Sequence, residues 1–428
     1  MNLSKSIRER CHVNKNDEND RFVGVKADTN DAIIYFPLGY QLPQNDDELR
    51  MDIENLFYIL EAFMKEDKLI EESKFSRSRN VNFPMHAYIK IVRDFLRTGR
   101  YYIEKDPYFK TDTKGNISWS RTIRKQRALI QKNGSLIFTN MTVRFIRPSI
   151  NKKITQIHRY CVYEAFDKIG WLYVPYMPEK LETYINIKEA IYIIDKKLEF
   201  THNDMEQELF SAMSLMLKYM DKTSSERKYS FGTDFFERIW EKMIDKAFGI
   251  KDKNRYFPRT KWFLDYSFDK SRTPLQPDTI MIYNDKVYVI DAKLYRYGYS
   301  GNPAHLPNGP DINKQITYGE YIERTKGISS DKLYNAFIMP FNRQDNPFFD
   351  MGPDGVPIPC ITENIGNIGE AVGDWKPNPK NYERVQGIVI DTRFLMQNYI
   401  SMSEKQKCQL AKAIEKVNDR GSILEPKI

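Results

Sequence analysis

The stretch Pro277-Asp278-Thr279-Ile280-Met281-Ile282-Tyr283-Asn284-Asp285-Lys286-Val287-Tyr288-Val289-Ile290-Asp291-Ala292-Lys293 decides how this chain folds. Two runs rich in β-branched and aromatic residues, Thr279 to Tyr283 and Val287 to Ile290, flank Asn284-Asp285, the only turn-like pair between them. That is the pattern of a β-hairpin. Mirroring the strands about the turn puts Asp278 directly opposite Asp291, with Cβ atoms roughly 4.5–5.5 Å apart. Two carboxylates at that separation repel unless a divalent cation lies between them. Lys293 is two residues beyond Asp291, so strand alternation places it on the same face. Two carboxylates and an ammonium converging at one strand end are the parts that metal-assisted phosphodiester hydrolysis needs.

Taken singly, a Pro-Asp pair or an Asp-x-Lys triplet occurs by chance in many proteins, and an acid at a strand end is usually a solvated turn residue. The combination argues otherwise. Asp291 and Lys293 follow a run of apolar and aromatic residues, where apolar side chains would bury more surface. Asp278 and Asp291 therefore read as ligands for Mg²⁺, which favours carboxylate oxygens and retained waters, and Lys293 as a group that orients water or offsets developing charge. Glu237 is the candidate third carboxylate, on the flank of a helix whose stripe is Phe236, Ile239, Trp240, Met243 and Ala247. Glu241, one turn further on, is the alternative. Thr233 is the expected N-cap of this helix and Gly249 its stop.

Around this centre the order is helix, strands, helix, strand, as in an α/β sandwich with a mixed central sheet. A Gly/Pro-rich loop from Tyr295 to Pro310 precedes a helix from about Asp311 to Arg324, then a strand at Ala336 to Pro340. A long Pro/Gly/Asn loop runs through Pro379, followed by a strand at Gly387 to Ile390 and terminal helices. Gln315 and Tyr318, at i and i+3, share a helix face that reaches either the site or the core. Lys314, Arg296 and Tyr297 are candidate DNA contacts, since basic groups bind phosphates and tyrosines stack on bases.

The polar run Asp221 to Lys228 is the expected boundary between an α+β N-terminal domain, 1–225, and a C-terminal domain, 226–428. In the first, helical periodicity marks 53–64, 84–99, 154–169, 185–197 and 204–220, and the opening 30 residues read as mobile. The basic segment Trp119 to Arg127 is a surface for DNA or a protein partner, or a solvated helix face.

The 428 residues carry 66 Lys and Arg against 58 Asp and Glu, a net charge of +8 that suits a polyanionic partner without requiring one. Hydrophobic residues at 41% and charged residues at 29% exclude a wholly disordered or membrane-embedded chain. No apolar window approaches a membrane span and no signal-type segment opens the chain, so a cytoplasmic protein is expected. The four cysteines and five histidines show no ligand spacing that would hold zinc. No GxxxxGK[ST] loop occurs, so the chain is not itself a P-loop NTPase.

Phe236-Glu237, Pro277-Asp278, Asp291-Ala292-Lys293 and Asp311-Ile312 with Lys314-Gln315 and Tyr318 together resemble the LlaJI-type restriction endonucleases. These look like relatives of McrC, the nuclease subunit of McrBC systems, within the PD-(D/E)xK superfamily. The resemblance is strongest over 231–325 and extends to the block Gly115 to Ile123. It implies that 226–428 form a PD-(D/E)xK nuclease core cutting double-stranded DNA. Asp278, Asp291 and Glu237 would be its metal ligands, Lys293 its catalytic lysine, and Gln315 the glutamine after the core. One departure is visible: many of those relatives have Gln-x-x-x-Tyr where this chain has Gln-x-x-Tyr at Tyr318. A separate AAA+ GTPase partner, engaged by the N-terminal region, is implied as well. The alternatives are a self-sufficient restriction endonuclease and a non-catalytic DNA-binding or assembly module.

Overall fold

The computed structural model describes residues 6–28, 31–66, 83–149, 152–182, 184–222, 229–264, 267–271, 274–351, 354 and 356–416. The chain divides into two compact units, and the division differs from the sequence expectation. One unit is Val81–Arg227, while Asn2–Asn80 joins Lys228–Ile428 in the other. The second boundary falls within the expected polar run, much of which lies outside the described residues.

Residues 2–80 belong with the C-terminal region for identifiable reasons. The strands β1 (Cys11–Val13), β2 (Val23–Ala27) and β3 (Ala32–Phe36) form a sheet with β4 (Tyr229–Thr233), in the order β1-β3-β2-β4. Gly24 lies opposite Gly232 in it, at φ +139°, and a Cβ on Gly24 would stand 2.1 Å from the Phe231 carbonyl oxygen. Helix α1 (Asp46–Glu66) is held to the C-terminal region by Asn55, whose Nδ2 donates to the Met396 carbonyl at 3.0 Å, and by Asp52 accepting from Arg393 at 2.7 Å. Among the described opening residues, 6–28, the polar run has partners that its composition does not suggest. Asn16 Nδ2 donates to the Leu294 carbonyl at 2.8 Å and Asp17 pairs with Arg296.

After β4 comes α2 (Phe236–Phe248), which begins later than a Thr233 cap would place it. Thr233 closes β4 instead, and its hydroxyl accepts from the Phe235 N–H at 3.0 Å. Gly249 follows the helix in extended, not left-handed, conformation. The hairpin has the mirrored register: in β5 (Thr279–Tyr283) and β6 (Lys286–Ala292), Thr279 pairs with Ile290 and Tyr283 with Lys286. Asn284 and Asp285 both have positive φ, 48° and 58°, as a two-residue turn matched to strand twist demands.

Helix α3 (Gly309–Lys326) starts before Asp311, because Asn308 caps it by accepting from the Asp311 N–H at 3.2 Å. With β7 (Leu333–Phe341), β8 (Ile365–Ala371) and β9 (Val385–Asp391), the hairpin makes a five-stranded mixed sheet ordered β5-β6-β7-β9-β8. Strand β8 lies where a long loop was expected; it is an edge strand with an irregular register between Asn367 and Gly369. Strand β6 is buried on both faces. Val287 and Val289 pack with Tyr256, Ile280, Tyr318, Ile322, Leu333 and Tyr382, while Tyr288 stacks on Tyr334 with centroids 5.4 Å apart. Burial so complete is what makes a charged residue at its end costly.

The 81–227 unit contains helices Met85–Thr98, Lys153–Ile169, Ile187–Glu199 and Asp204–Lys222 with small antiparallel sheets. The basic segment forms the short helix Trp119–Lys125. Within this unit His158 is buried, and its Nδ1 accepts from the Tyr102 N–H at 2.8 Å. Burial drives its pKa from 6.5 down to about 4, with Asp94 opposing weakly. Between those values the unfolded chain binds a proton that the native state refuses, so stability falls as pH drops from 6.5 to 4. Thermal unfolding of the wild type is expected to weaken across that window, and of His158→Gln to weaken less. Parallel slopes would contradict the assignment.

Candidate active site

Asp278 sits one residue before β5, and its Oδ2 accepts the N–H of Ala292 at 2.8 Å. Its carbonyl accepts from Lys253, which also pairs with Asp245 at 2.7 Å. Burial, then the charge of Asp291, then that of Glu241 push the Asp278 carboxyl up to about 8. The Ala292 N–H and Lys293 offset this only in part.

Asp291, near the end of β6, is 2% exposed. Its Oδ2 lies 2.6 Å from Lys293 Nζ. Its Oδ1 is buried with no hydrogen bond, and Lys314 Nζ stands 3.6 Å away. For Lys293, burial works against the charge. Asp291, then Asp311 and Asp278 outweigh it and hold the ammonium protonated more firmly than usual. Lys293 Nζ is 3.5 Å from Asp311 Oδ1, and Tyr295 donates its hydroxyl to Asp311 Oδ2 at 3.2 Å.

The helix glutamate whose charge acts on Asp278 is Glu241, one turn beyond Glu237. Burial, then Asp291 raise the Glu241 pKa. Trp240 seats this helix. The Ile338 carbonyl accepts both the Lys293 N–H at 2.8 Å and the Trp240 indole N–H at 3.4 Å, so one oxygen ties the strand end to α2. Glu237 is half-buried in the first turn of α2.

Gln315 is fully buried, with its carboxamide oxygen and nitrogen both without a hydrogen bond and its backbone carbonyl accepting from Asn335 at 2.8 Å. Tyr318 packs in the core, one of the two places its helix face could reach. Its hydroxyl has no hydrogen bond, and burial, then Asp291 and Asp278 raise its pKa. Arg296 is engaged by Asp17, and Tyr297 packs beside the Met339, Phe341, Ile361 and Val389 cluster, so both have internal partners.

Asp291 and Asp311 thus contact two ammoniums, Lys293 and Lys314, while Asp278 and Glu241 act on the group through their charge. The excess of carboxylates over ammoniums, and an Asp291 oxygen that has no hydrogen bond and only the more distant Lys314 beside it, fit a divalent cation better than a closed ion-pair network. Among the described residues no group of three or more His, Cys, Asp or Glu side chains is disposed to hold a metal. The fit is to a two-carboxylate site, and Glu237 is not drawn in as a third ligand. Asp311 had no assigned role in the sequence reading. Its signal was spacing: it stands three residues before Lys314 on α3, while Tyr295 continues the alternation of Asp291 and Lys293.

No helix among the described residues is long and apolar enough to cross a membrane. No curated protein matches the chain. A solved structure, the refined half-complex from a tetradecameric assembly of Thermococcus gammatolerans McrB AAA+ hexamers with bound McrC, is similar at 15% identity. The match covers 92% of this chain and 82% of that one at a TM-score of 0.37, which establishes neither fold nor partner. The sequence family described as LlaJI restriction endonuclease matches residues 22–354, most of the chain. The protein therefore belongs to the LlaJI restriction endonuclease family.

Proposed function

We propose that this chain is a Mg²⁺-dependent DNA endonuclease of a bacterial restriction system, with a PD-(D/E)xK core, acting as a McrC-like cleavage subunit beside a separate AAA+ GTPase. The observation that carries the reading is the Asp278 carboxylate at the head of the hairpin, bonded to the Ala292 N–H at 2.8 Å and under the charge of Asp291, which itself holds Lys293 at 2.6 Å. Asp278 and Asp291 would hold Mg²⁺, which when bound supplies Lewis-acid polarisation of the phosphate and a more acidic water. Lys293 acts as a cation, paired with Asp291 at 2.6 Å and 3.5 Å from Asp311. Its part is to offset charge on the phosphate oxygens and orient the attacking water. Lys314, beside Asp291, extends positive charge toward the DNA backbone. The Gln315 carboxamide, buried without hydrogen bonds, has donors and an acceptor left for buried water.

A GTPase partner is what the resemblance implies, and the lack of a P-loop in this sequence agrees with such a division of labour. The test is cleavage of double-stranded DNA by the full chain, with and without the GTPase encoded beside it, in Mg²⁺ or in chelator. Cutting is expected only with Mg²⁺, GTP and the motor together. Cutting by the chain alone would establish the self-sufficient enzyme instead, and metal-independent binding without cutting under any condition would establish the non-catalytic module.

A further inference from the structure

Lys293 has two acidic neighbours of different kinds. Asp291 acts on Asp278 through its charge and has a second oxygen with no hydrogen bond, 3.6 Å from Lys314 Nζ, whereas Asp311 comes from the first turn of α3 and is held by the Tyr295 hydroxyl. Resting on the metal-site reading above, we propose that Asp311 is a positioning residue: it is the seat that Lys293 takes when a cation claims Asp291. With Asp291 Oδ2 only 2.6 Å from the ammonium, lysine and cation compete for one carboxylate. Asp311 Oδ1, at 3.5 Å, lies within a small rotation of the same ammonium. Tyr295 occupies one lobe of the Asp311 carboxylate and leaves the other facing Lys293. The arrangement keeps the lysine charged and in the site without obliging it to block the metal-binding oxygen.

Asp311 and Lys293 should therefore be coupled in metal affinity, without any reaction. The probe is Mn²⁺ alone, which takes the same oxygen ligands, with the free ion counted by electron paramagnetic resonance in the full chain without DNA. Asp311→Asn is expected to weaken Mn²⁺ binding about tenfold, in the range seen when a ligand's supporting partner is lost. Tyr295→Phe should weaken it less, since it keeps the charge and frees the carboxylate. In a Lys293→Met background the ammonium shared by Asp291 and Asp311 is gone while Lys314 stays on the other Asp291 oxygen, and Asp311→Asn should then have no effect beyond about twofold. A tenfold loss persisting in that background would overturn the proposal, showing that Asp311 acts on the metal through its own charge. An unchanged affinity in Asp311→Asn would overturn it equally. Thermal midpoints for each variant separate these results from unfolding. Failure of the wild type to bind Mn²⁺ at all would instead remove the metal-site reading.

Discussion

Lys293→Ala is expected to lower DNA cleavage by about a thousandfold, the upper range for removing one preorganised group that stabilises developing charge. The loss should appear in kcat, with DNA affinity nearly unchanged, because Lys293 is largely buried against Asp291 and Asp311. Removing the ammonium leaves Asp291 without its 2.6 Å partner. That carboxylate can take a proton or a cation, so the fold should survive, as circular dichroism would report. Full cleavage by the folded variant would eliminate Lys293 from the mechanism.

Trp240→Ala is expected to destabilise the protein by about 3–5 kcal/mol, the usual cost of emptying a fully buried aromatic site. Trp240 is completely buried, and its indole N–H reaches the carbonyl that also receives the Lys293 N–H. The variant should therefore lose stability and also loosen α2 against the strand end that carries the acids. Denaturant titration measures the first effect. A change under 1 kcal/mol would mean that the helix is seated by something else.

The hairpin was legible because every local rule agreed: β-branched runs, a turn pair able to take positive φ, and mirrored carboxylates. The edge strand Ile365–Ala371 was not, since Gly366, Asn367 and Gly369 break the pattern and its pairing with Val385–Asp391 supplies what propensity does not. The polar opening of the chain hid its docking for a similar reason. Asn16 and Asp17 find partners at Leu294 and Arg296, nearly three hundred residues away, and composition carries no sign of them. Glu237 and Glu241 are one helical turn apart on the same flank, so periodicity could not choose between them. Trp240, bonded to a carbonyl in the neighbouring sheet, sets how the helix lies and with it that Glu241 acts on Asp278.

The central claim is that Asp278 and Asp291 hold a divalent cation, and a crystal of the full chain grown with Mn²⁺ tests it most directly. The anomalous difference map is predicted to show a peak bonded to carboxylate oxygens of both Asp278 and Asp291. A map with no peak there at millimolar Mn²⁺, or with the ion held only by other residues, would contradict the account.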